Sequence, residues 1–397
     1  MYVTRHLSAY RRSPDALSLP PPEGRSSGIL VIQDEESEPT CCFGLCKSID
    51  IKHLPFPQNK SLEHRYSTGF SSVQVLHFQN IIFIPVINQP LSSNLYYAIQ
   101  YKKHKGEAYT SSTEEDETTC CFGGYATDVP PQPLDPTNVN QQFEIRLRGG
   151  IVNDWGGRFT AKSVAPDGFP PFILGKVKWK VRASASPEFD LGEAQGVDTT
   201  LRAHLPEFTF PLSNRSSQPV VVGKWYCPFM FVREGTLKSW KDAMTNLIYY
   251  EMKLEQKWEQ IFACENKSEG NAVVVDALVE REVVTVGGRE AVVDERNVGD
   301  SLVWFRSNGD AGEETCVALS EVIVERMKWE QERAAGWVGG DGKQVRVKKV
   351  GEFGGKGGWR KFGCYVLVER FVLKRLHGGL VLSYDFKHTH QIRSKWE

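Results

Sequence analysis

The sequence lacks several features that would assign a protein class directly. Lys and Arg number 48 against 49 Asp and Glu, for a net charge of −1, so the basic excess of a nucleic-acid-binding protein is missing. The longest apolar run, Ile81–Ile87, is far shorter than the roughly 20 residues of a membrane-spanning helix. The first residues lack the apolar core of a secretory signal. We therefore expect no nucleic-acid partner, no transmembrane segment and a cytoplasmic location.

The common catalytic motifs are also missing. The sequence has no Gly-x-Ser-x-Gly elbow, no His-Glu-x-x-His helix and no protein-kinase signature, which argues against the commoner hydrolases and kinases. The glycine-rich run Gly354–Gly358 matches neither the phosphate-binding loop nor the dinucleotide fingerprint, so we interpret it as a loop. The sequence leaves enzymatic activity open and favours a non-catalytic role.

Cysteine is present in an odd number, nine, which indicates free thiols in a reducing compartment and no disulfide framework. A Thr-Cys-Cys-Phe-Gly segment occurs twice, at 40–44 and 119–123, each time behind an acidic cluster. These segments supply the candidate metal ligands Cys41, Cys42, Cys46, Cys120 and Cys121. Four converging thiolates suit zinc, although adjacent cysteines share one tetrahedral ion poorly. S-acylation, which would tether the chain to a membrane, and simple packing as small apolar side chains are the alternatives.

The length and composition predict two packed domains. The chain has 397 residues, 40% of them hydrophobic and 11% aromatic, which is more than one core usually holds. We predict an α+β, strand-dominated fold with two domains of mainly antiparallel sheet. The first, at 1–212, is β-rich and carries the repeated cysteine loops. The second, at 219–397, has long antiparallel strands and a packed helix near 236–247.

Individual strands follow from runs of β-branched and aromatic residues between turn residues. In the first half these runs are 28–33, 73–78, 81–87, 94–100, 141–147, 159–164 and 177–183. In the second half, apolar residues alternate with charged ones from Ile248 to Phe262, which predicts a half-buried strand. Glycine pairs at 287–288 and 378–379 predict tight hairpins, the first closing a strand at 273–286. A long final strand is predicted from Leu380 onward.

Two histidines in that last strand, His388 and His390, are spaced to point to the same side. Such a pair can begin a metal or acid–base site, but no third ligand accompanies it at a suitable spacing. We therefore interpret the pair as packed or half-buried side chains.

Several segments of the chain resemble a plant family known as domain of unknown function 1262. They are Met1-Tyr-Val-Thr-Arg, Tyr10-Arg-Arg-Ser-Pro, Leu17-Ser-Leu-Pro-Pro-Pro-Glu-Gly, Val31-Ile-Gln-Asp-Glu-Glu, Lys224-Trp-Tyr-Cys-Pro-Phe-Met-Phe and the ending from Phe386 to Glu397. The resemblance implies no transferable activity or site residue, and some family members are named for a likeness to insecticidal crystal toxins. The chain departs from the family pattern at Gly123–Tyr125, where further cysteine is expected.

Taken together, these observations favour a non-catalytic interaction or ligand-binding protein, with an unknown protein or small molecule as partner. The resemblance adds a link to plant stress or defence. An enzyme acting on a small plant metabolite and a membrane-active β protein are the alternatives. No cofactor is indicated apart from the zinc considered for the cysteine segments.

Overall fold

The structure, a computed structural model, describes most of the chain. The described residues are 1–22, 24–41, 46–69, 74–100, 107–114, 117–120, 123–126, 128–148, 157–235, 248–267, 270–294, 301–308, 314–335 and 343–397. For 40–41, 46–47, 117–120, 123–126 and 334–335 only the backbone is described. The helix predicted near 236–247 therefore lies outside the described residues.

Strands dominate the fold. The strands of the first half are β1 (Tyr2–His6), β2 (Gly28–Ile32), β3 (Thr40–Cys41), β4 (Cys46–Lys47), β5 (Asp50–Ile51), β6 (Leu62–Thr68), β7 (Val75–Pro85), β8 (Leu95–Gln100), β9 (Glu107–Ala108), β10 (Glu117–Cys120), β11 (Gly123–Ala126), β12 (Gln132–Pro133), β13 (Gln142–Arg148), β14 (Arg158–Ser163) and β15 (Trp179–Ala183). The remaining strands are β16 (Gly196–Val197), β17 (Val220–Pro228), β18 (Val232–Glu234), β19 (Tyr249–Glu265), β20 (Ala272–Glu280), β21 (Glu282–Val286), β22 (Arg289–Val293), β23 (Leu302–Asn308), β24 (Glu314–Ser320), β25 (Gln344–Glu352), β26 (Lys361–Arg375) and β27 (Leu380–Trp396).

Helices are few and mostly short. In the described part of the chain they are α1 (Leu7–Arg12), α2 (Phe172–Gly175), α3 (Thr199–His204) and α4 (Glu321–Ala335). None of these helices is long and apolar enough to cross a bilayer.

The chain forms two compact units, each assembled from separate segments. The first unit comprises Met1–Ala194, Tyr226–Tyr249 and Val298–Leu302, and the second comprises Gln195–Trp225, Tyr250–Asn297 and Val303–Glu397. The domains predicted at 1–212 and 219–397 stay a prediction.

The first unit is built on a nine-stranded antiparallel sheet. Its order is β12-β9-β8-β13-β14-β15-β6-β7, and β5 is added beside β15. Because β7 also pairs with β8, six strands form a closed ring. Aromatic side chains fill it: the Trp179 ring stacks on Phe83 at 5.6 Å and lies 5.2 Å from Phe159. Burying rings of this size contributes about 1.5–3 kcal/mol each.

The second unit is built on long strands. Its main antiparallel sheet runs β24-β23-β22-β21-β27-β26-β19-β17, with β16 beside β17, and β20 and β25 form a separate pair. β19 and β27 each have 17 residues. Buried and partly exposed residues alternate from Glu251 to Glu259, so the predicted strand at 248–262 is confirmed. Both glycine-pair turns are confirmed as well, since each pair lies between the strands it was predicted to connect.

Two strand predictions were wrong in detail. The runs predicted at 73–78 and 81–87 are not separate strands: residues 75–85 form one strand, β7, because the intervening Gln79 and Asn80 stay paired with His64 and Glu63. The run 273–286 forms two strands in different sheets, because β20 pairs with the distant β25 and the chain leaves that pair at Arg281. A sequence pattern shows that a segment is extended but does not show which distant strand it pairs with.

Candidate functional site

The candidate site is a mainly apolar pocket of about 340 Å³ in the first unit. One wall comes from α1, where Leu7, Tyr10 and Arg11 line the pocket. These positions are spaced by three and four residues, so they share one face of the helix. α1 ends before Pro14, which begins a 3₁₀ turn that adds Leu17 to the same wall.

The opposite wall is formed by β5 and the turn that follows it, with Ile51, Leu54, Pro55 and Pro57 facing the cavity. Gly157 lets a neighbouring segment approach this wall closely. A Cβ atom at that position would lie 2.6 Å from the Lys52 carbonyl oxygen, which is closer than real side chains come. The wall is thus held by backbone packing as well as by its own apolar side chains.

Gln33 is the polar side chain that is buried in the pocket wall. Its backbone is held by a reciprocal pair: Gln33 N donates to Asn59 Oδ1 at 3.0 Å, and Asn59 Nδ2 donates to the Gln33 carbonyl at 3.0 Å. The residue is 7% exposed, and among the described residues its side-chain Oε1 has no hydrogen-bond partner. A buried amide oxygen without a donor costs about 1–3 kcal/mol, so a ligand that donates here would recover that free energy.

The mouth of the pocket carries positive charge. Arg11 and Lys52 line it and are exposed. The acidic residue nearby, Asp50, accepts a hydrogen bond from Arg182 Nε at 2.7 Å, so its charge is already compensated. Burial raises the pKa of Tyr10, and its phenol therefore stays protonated and able to donate.

These features suit binding more than catalysis. Ligand pockets are typically cavities of about 300–1,000 Å³ with apolar walls and a few placed polar groups. Here an apolar body fits between α1 and the turn after β5, and an anionic group fits beside Arg11 and Lys52. The Gln33 side chain lies in the same wall with an Oε1 atom that has no partner among the described residues.

The sequence did not reveal this pocket as a site. Tyr10, Arg11 and Gln33 lie in segments that carry the family resemblance, and the spacing of Leu7, Tyr10 and Arg11 is a helical signal that prolines nearby obscured. Nothing in the linear sequence shows that Gln33 and Leu54 line the same pocket. The pocket is therefore a product of tertiary structure.

The cysteine segments form two small hairpin-like sheets. β3 pairs with β4, placing Cys41 opposite Cys46, and β10 pairs with β11, placing Cys120 opposite Gly123. The side chains of all five candidate ligands, including Cys42 and Cys121, lie outside what the structure describes. Zinc binding, S-acylation and the spatial proximity of the two segments therefore stay predictions. Cys227, Cys264, Cys316 and Cys364 are free thiols.

The two histidines of β27 differ in burial, so the expectation of packed or half-buried side chains holds for His388 and not for His390. The two rings lie 5.6 Å apart in an edge-to-face arrangement. His388 is fully buried with its Nε2 3.0 Å from Gln331 Oε1, whereas His390 is exposed. Within the described ranges, no group of three or more His, Cys, Asp and Glu side chains is placed to hold a metal ion.

Comparison with known proteins gives a family of unknown function and a distant fold similarity. Residues 23–122 match the model of the family described as protein of unknown function DUF1262, which supports the resemblance over that range. This range includes Gln33 and the wall after β5. No curated protein matches the chain. Among solved structures, the chain is similar to the crystal structure of Cry35Ab1, with a TM-score of 0.48 and 11% identity over 86% of this chain and 90% of that chain.

Proposed function

We propose that this protein is a non-catalytic ligand-binding protein whose first unit holds a small, mainly apolar organic anion. The observation that carries the proposal is the Oε1 atom of Gln33, which is buried in the wall of an apolar pocket and lacks a donor in the described part of the chain. Buried polar groups are almost always hydrogen-bonded. A bound ligand with an O–H or N–H group supplies the missing donor.

The charge at the mouth defines the other end of the ligand. Arg11 and Lys52 are both cationic, and the neighbouring Asp50 is paired with Arg182. A carboxylate or sulfonate beside Arg11 gains charge-assisted hydrogen bonds, while the apolar body displaces water from Leu7, Leu17 and Leu54. The predicted ligand is therefore amphipathic.

The proposal is tested with 8-anilino-1-naphthalenesulfonate, which has an aromatic body, one N–H donor and one sulfonate. We expect saturable binding with a fluorescence increase, and Arg11→Gln should weaken it about fivefold, since an exposed charge contributes about 1 kcal/mol. Arg12→Gln is the matched control: Arg12 follows on the same helix, pairs with Glu36 at 3.6 Å and does not line the pocket. Equal affinities for the two variants would place the probe elsewhere and contradict the proposal.

We also propose, from the sequence and the family resemblance, that the protein is of plant origin, acts in the cytoplasm and serves stress or defence. Imaging of a fluorescent fusion expressed in plant cells tests the location. A fusion that accumulates in an organelle or at the cell surface would contradict it.

A further inference from the structure

A second site candidate lies in the second unit, on one face of the sheet formed by β19, β26 and β27. Gln256 of β19 is directly opposite Glu369 of β26, and Leu367 is opposite His388 of β27. Directly paired residues point to the same side of a sheet. This face therefore carries three buried polar side chains, Gln256, Glu369 and His388, with Leu367 among them.

Arg202 is brought to this face by the short helix α3. The Asp198 side chain caps the helix by accepting a hydrogen bond from Leu201 N at 2.9 Å, which fixes where the helix begins. The Arg202 side chain is 7% exposed. Its Nε donates to Glu369 Oε1 at 2.8 Å, and its Nη1 donates to Glu330 Oε1 at 2.8 Å.

Helix α4 contributes the rest of the charges. Glu330 accepts from Arg326 Nη2 at 3.0 Å and from Arg333 Nη2 at 3.1 Å, one helical turn to either side. The two guanidinium groups also lie 4.4 and 5.0 Å from the Trp329 ring. Arg326 is fully buried, whereas the Arg333 side chain is 44% exposed.

One carboxylate, that of Glu330, is shared by three guanidinium groups, those of Arg202, Arg326 and Arg333. Burial lowers the pKa of His388 to about 4, so its imidazole is neutral near pH 7.

The cluster opens into a cleft of about 460 Å³. Arg202, Gln256, Arg333, Leu367 and Glu369 line it. Gln256 donates from Nε2 to Glu369 Oε1 at 2.8 Å, but its buried Oε1 has no partner among the residues that the structure describes. Arg333 has five N–H donors, and Glu330 is the one acceptor that the described residues give it.

We propose that this cleft binds a small hydroxylated metabolite through an oxyanion, either a carboxylate or a phosphate, that pairs with Arg333. The planar guanidinium matches both oxyanions with two parallel hydrogen bonds. The oxyanion accepts hydrogen bonds from the Arg333 donors that Glu330 does not use, and a ligand hydroxyl donates to Gln256 Oε1. This site is separate from the pocket of the first unit and does not depend on the function proposed for it.

The test uses citrate and inorganic phosphate as probes, each titrated calorimetrically at constant ionic strength maintained with chloride. We expect saturable binding of one or both. Stronger binding of citrate identifies the carboxylate as the group recognised, and stronger binding of phosphate identifies the phosphate. Arg333→Gln should weaken the preferred probe at least about tenfold, the effect of losing charge-assisted hydrogen bonds.

Arg346→Gln is the matched control for the lost charge. Arg346 is also an exposed arginine of the second unit that pairs with one carboxylate, Asp276, at 2.6 Å, but it does not line the cleft. The Arg346→Gln variant should bind the probe as tightly as the unaltered protein does. The Arg11→Gln variant of the first unit should do the same. The inference is overturned if neither probe binds saturably. It is also overturned if Arg333→Gln and Arg346→Gln lose affinity for the probe equally, or if Arg11→Gln loses affinity and Arg333→Gln does not.

Discussion

At the scale of single residues, two buried glutamines of the first unit differ in whether their side-chain oxygen is hydrogen-bonded. The Gln58 amide is fully used: Nε2 donates to the carbonyls of Phe56 at 3.0 Å and Phe83 at 2.9 Å, and Oε1 accepts from the Tyr249 hydroxyl at 3.1 Å. The Oε1 atom of Gln33 is buried without a partner in the described chain. The first amide therefore stabilises the fold, and the second destabilises it until a ligand donates to it.

The substitution Gln33→Met should separate these roles, because Met has a similar volume and no hydrogen-bonding oxygen. We expect the ligand-free protein to gain about 1 kcal/mol in free energy of unfolding, since the unpaired acceptor disappears. The affinity for 8-anilino-1-naphthalenesulfonate should fall about tenfold, because the donor loses its acceptor. Urea unfolding and fluorescence titration measure the two effects.

The same substitution at the satisfied position is the control. Gln58→Met removes three hydrogen bonds and leaves two buried carbonyls without their donor, so it should lower the free energy of unfolding by at least about 2 kcal/mol. If Gln33→Met destabilises the protein to the same extent, Gln33 has a structural role and the ligand interpretation loses its main support.

At the scale of elements, local pattern predicted extended segments well. In β19, Glu, Lys, Gln, Met and Leu all favour helix, yet the alternation of Met252, Leu254 and Trp258 with charged residues fixed a strand, because burial on one face outweighs intrinsic preference. Helix α4, in contrast, was not predicted from the sequence, because its buried face is not uniformly apolar. Its buried face carries Arg326, Glu330 and Gln331 beside Ile323 and Met327, so the apolar periodicity that identifies a helix is interrupted by charges.

The turn between β21 and β22 also follows from local chemistry. Gly287 and Gly288 have φ angles of 58° and 85°, the left-handed region that a two-residue hairpin turn requires. A Cβ atom at either position would have no other atom within 4 Å. The cost of a substitution there is consequently set by the backbone and not by packing.

We expect Gly287→Val to lower the free energy of unfolding by about 1–2 kcal/mol, since a β-branched residue is strained at positive φ. Gly287→Asn should cost only a few tenths of a kcal/mol, because Asn tolerates this conformation and Asn-Gly is favoured in such turns. Urea unfolding of both variants measures the difference. Equal stabilities would mean that the turn adopts another conformation in solution.

At the scale of the whole molecule, each unit buries a neutral histidine. His64 in the first unit and His388 in the second are fully buried. Burial, the largest cause in both cases, lowers the pKa of His64 to about 3 and that of His388 to about 4. An unfolded imidazole titrates near 6.5. Below that pH the unfolded chain takes up protons that the folded chain does not.

The stability of the protein should therefore decrease as the pH falls from about 6.5, while the contribution of both histidines is fully present above it. Each histidine accounts for up to about 1.4 kcal/mol per pH unit in this window. The contribution of His388 is lost by about pH 4 and that of His64 by about pH 3. Glu369, whose pKa is lowered by Arg202 against the opposing effect of burial, adds to the loss only below its unfolded pKa of about 4.3.

Urea unfolding between pH 7 and pH 4.5 isolates the histidines from the carboxylates. His388→Gln preserves a donor for Gln331 Oε1 and removes the titrating group. For the transition of the second unit, the slope of unfolding free energy against pH should therefore fall by about 1.4 kcal/mol per pH unit, which corresponds to one proton. His377→Gln, in the exposed turn between β26 and β27, should leave the slope unchanged. An unchanged slope in His388→Gln would mean that His388 is protonated in the folded state.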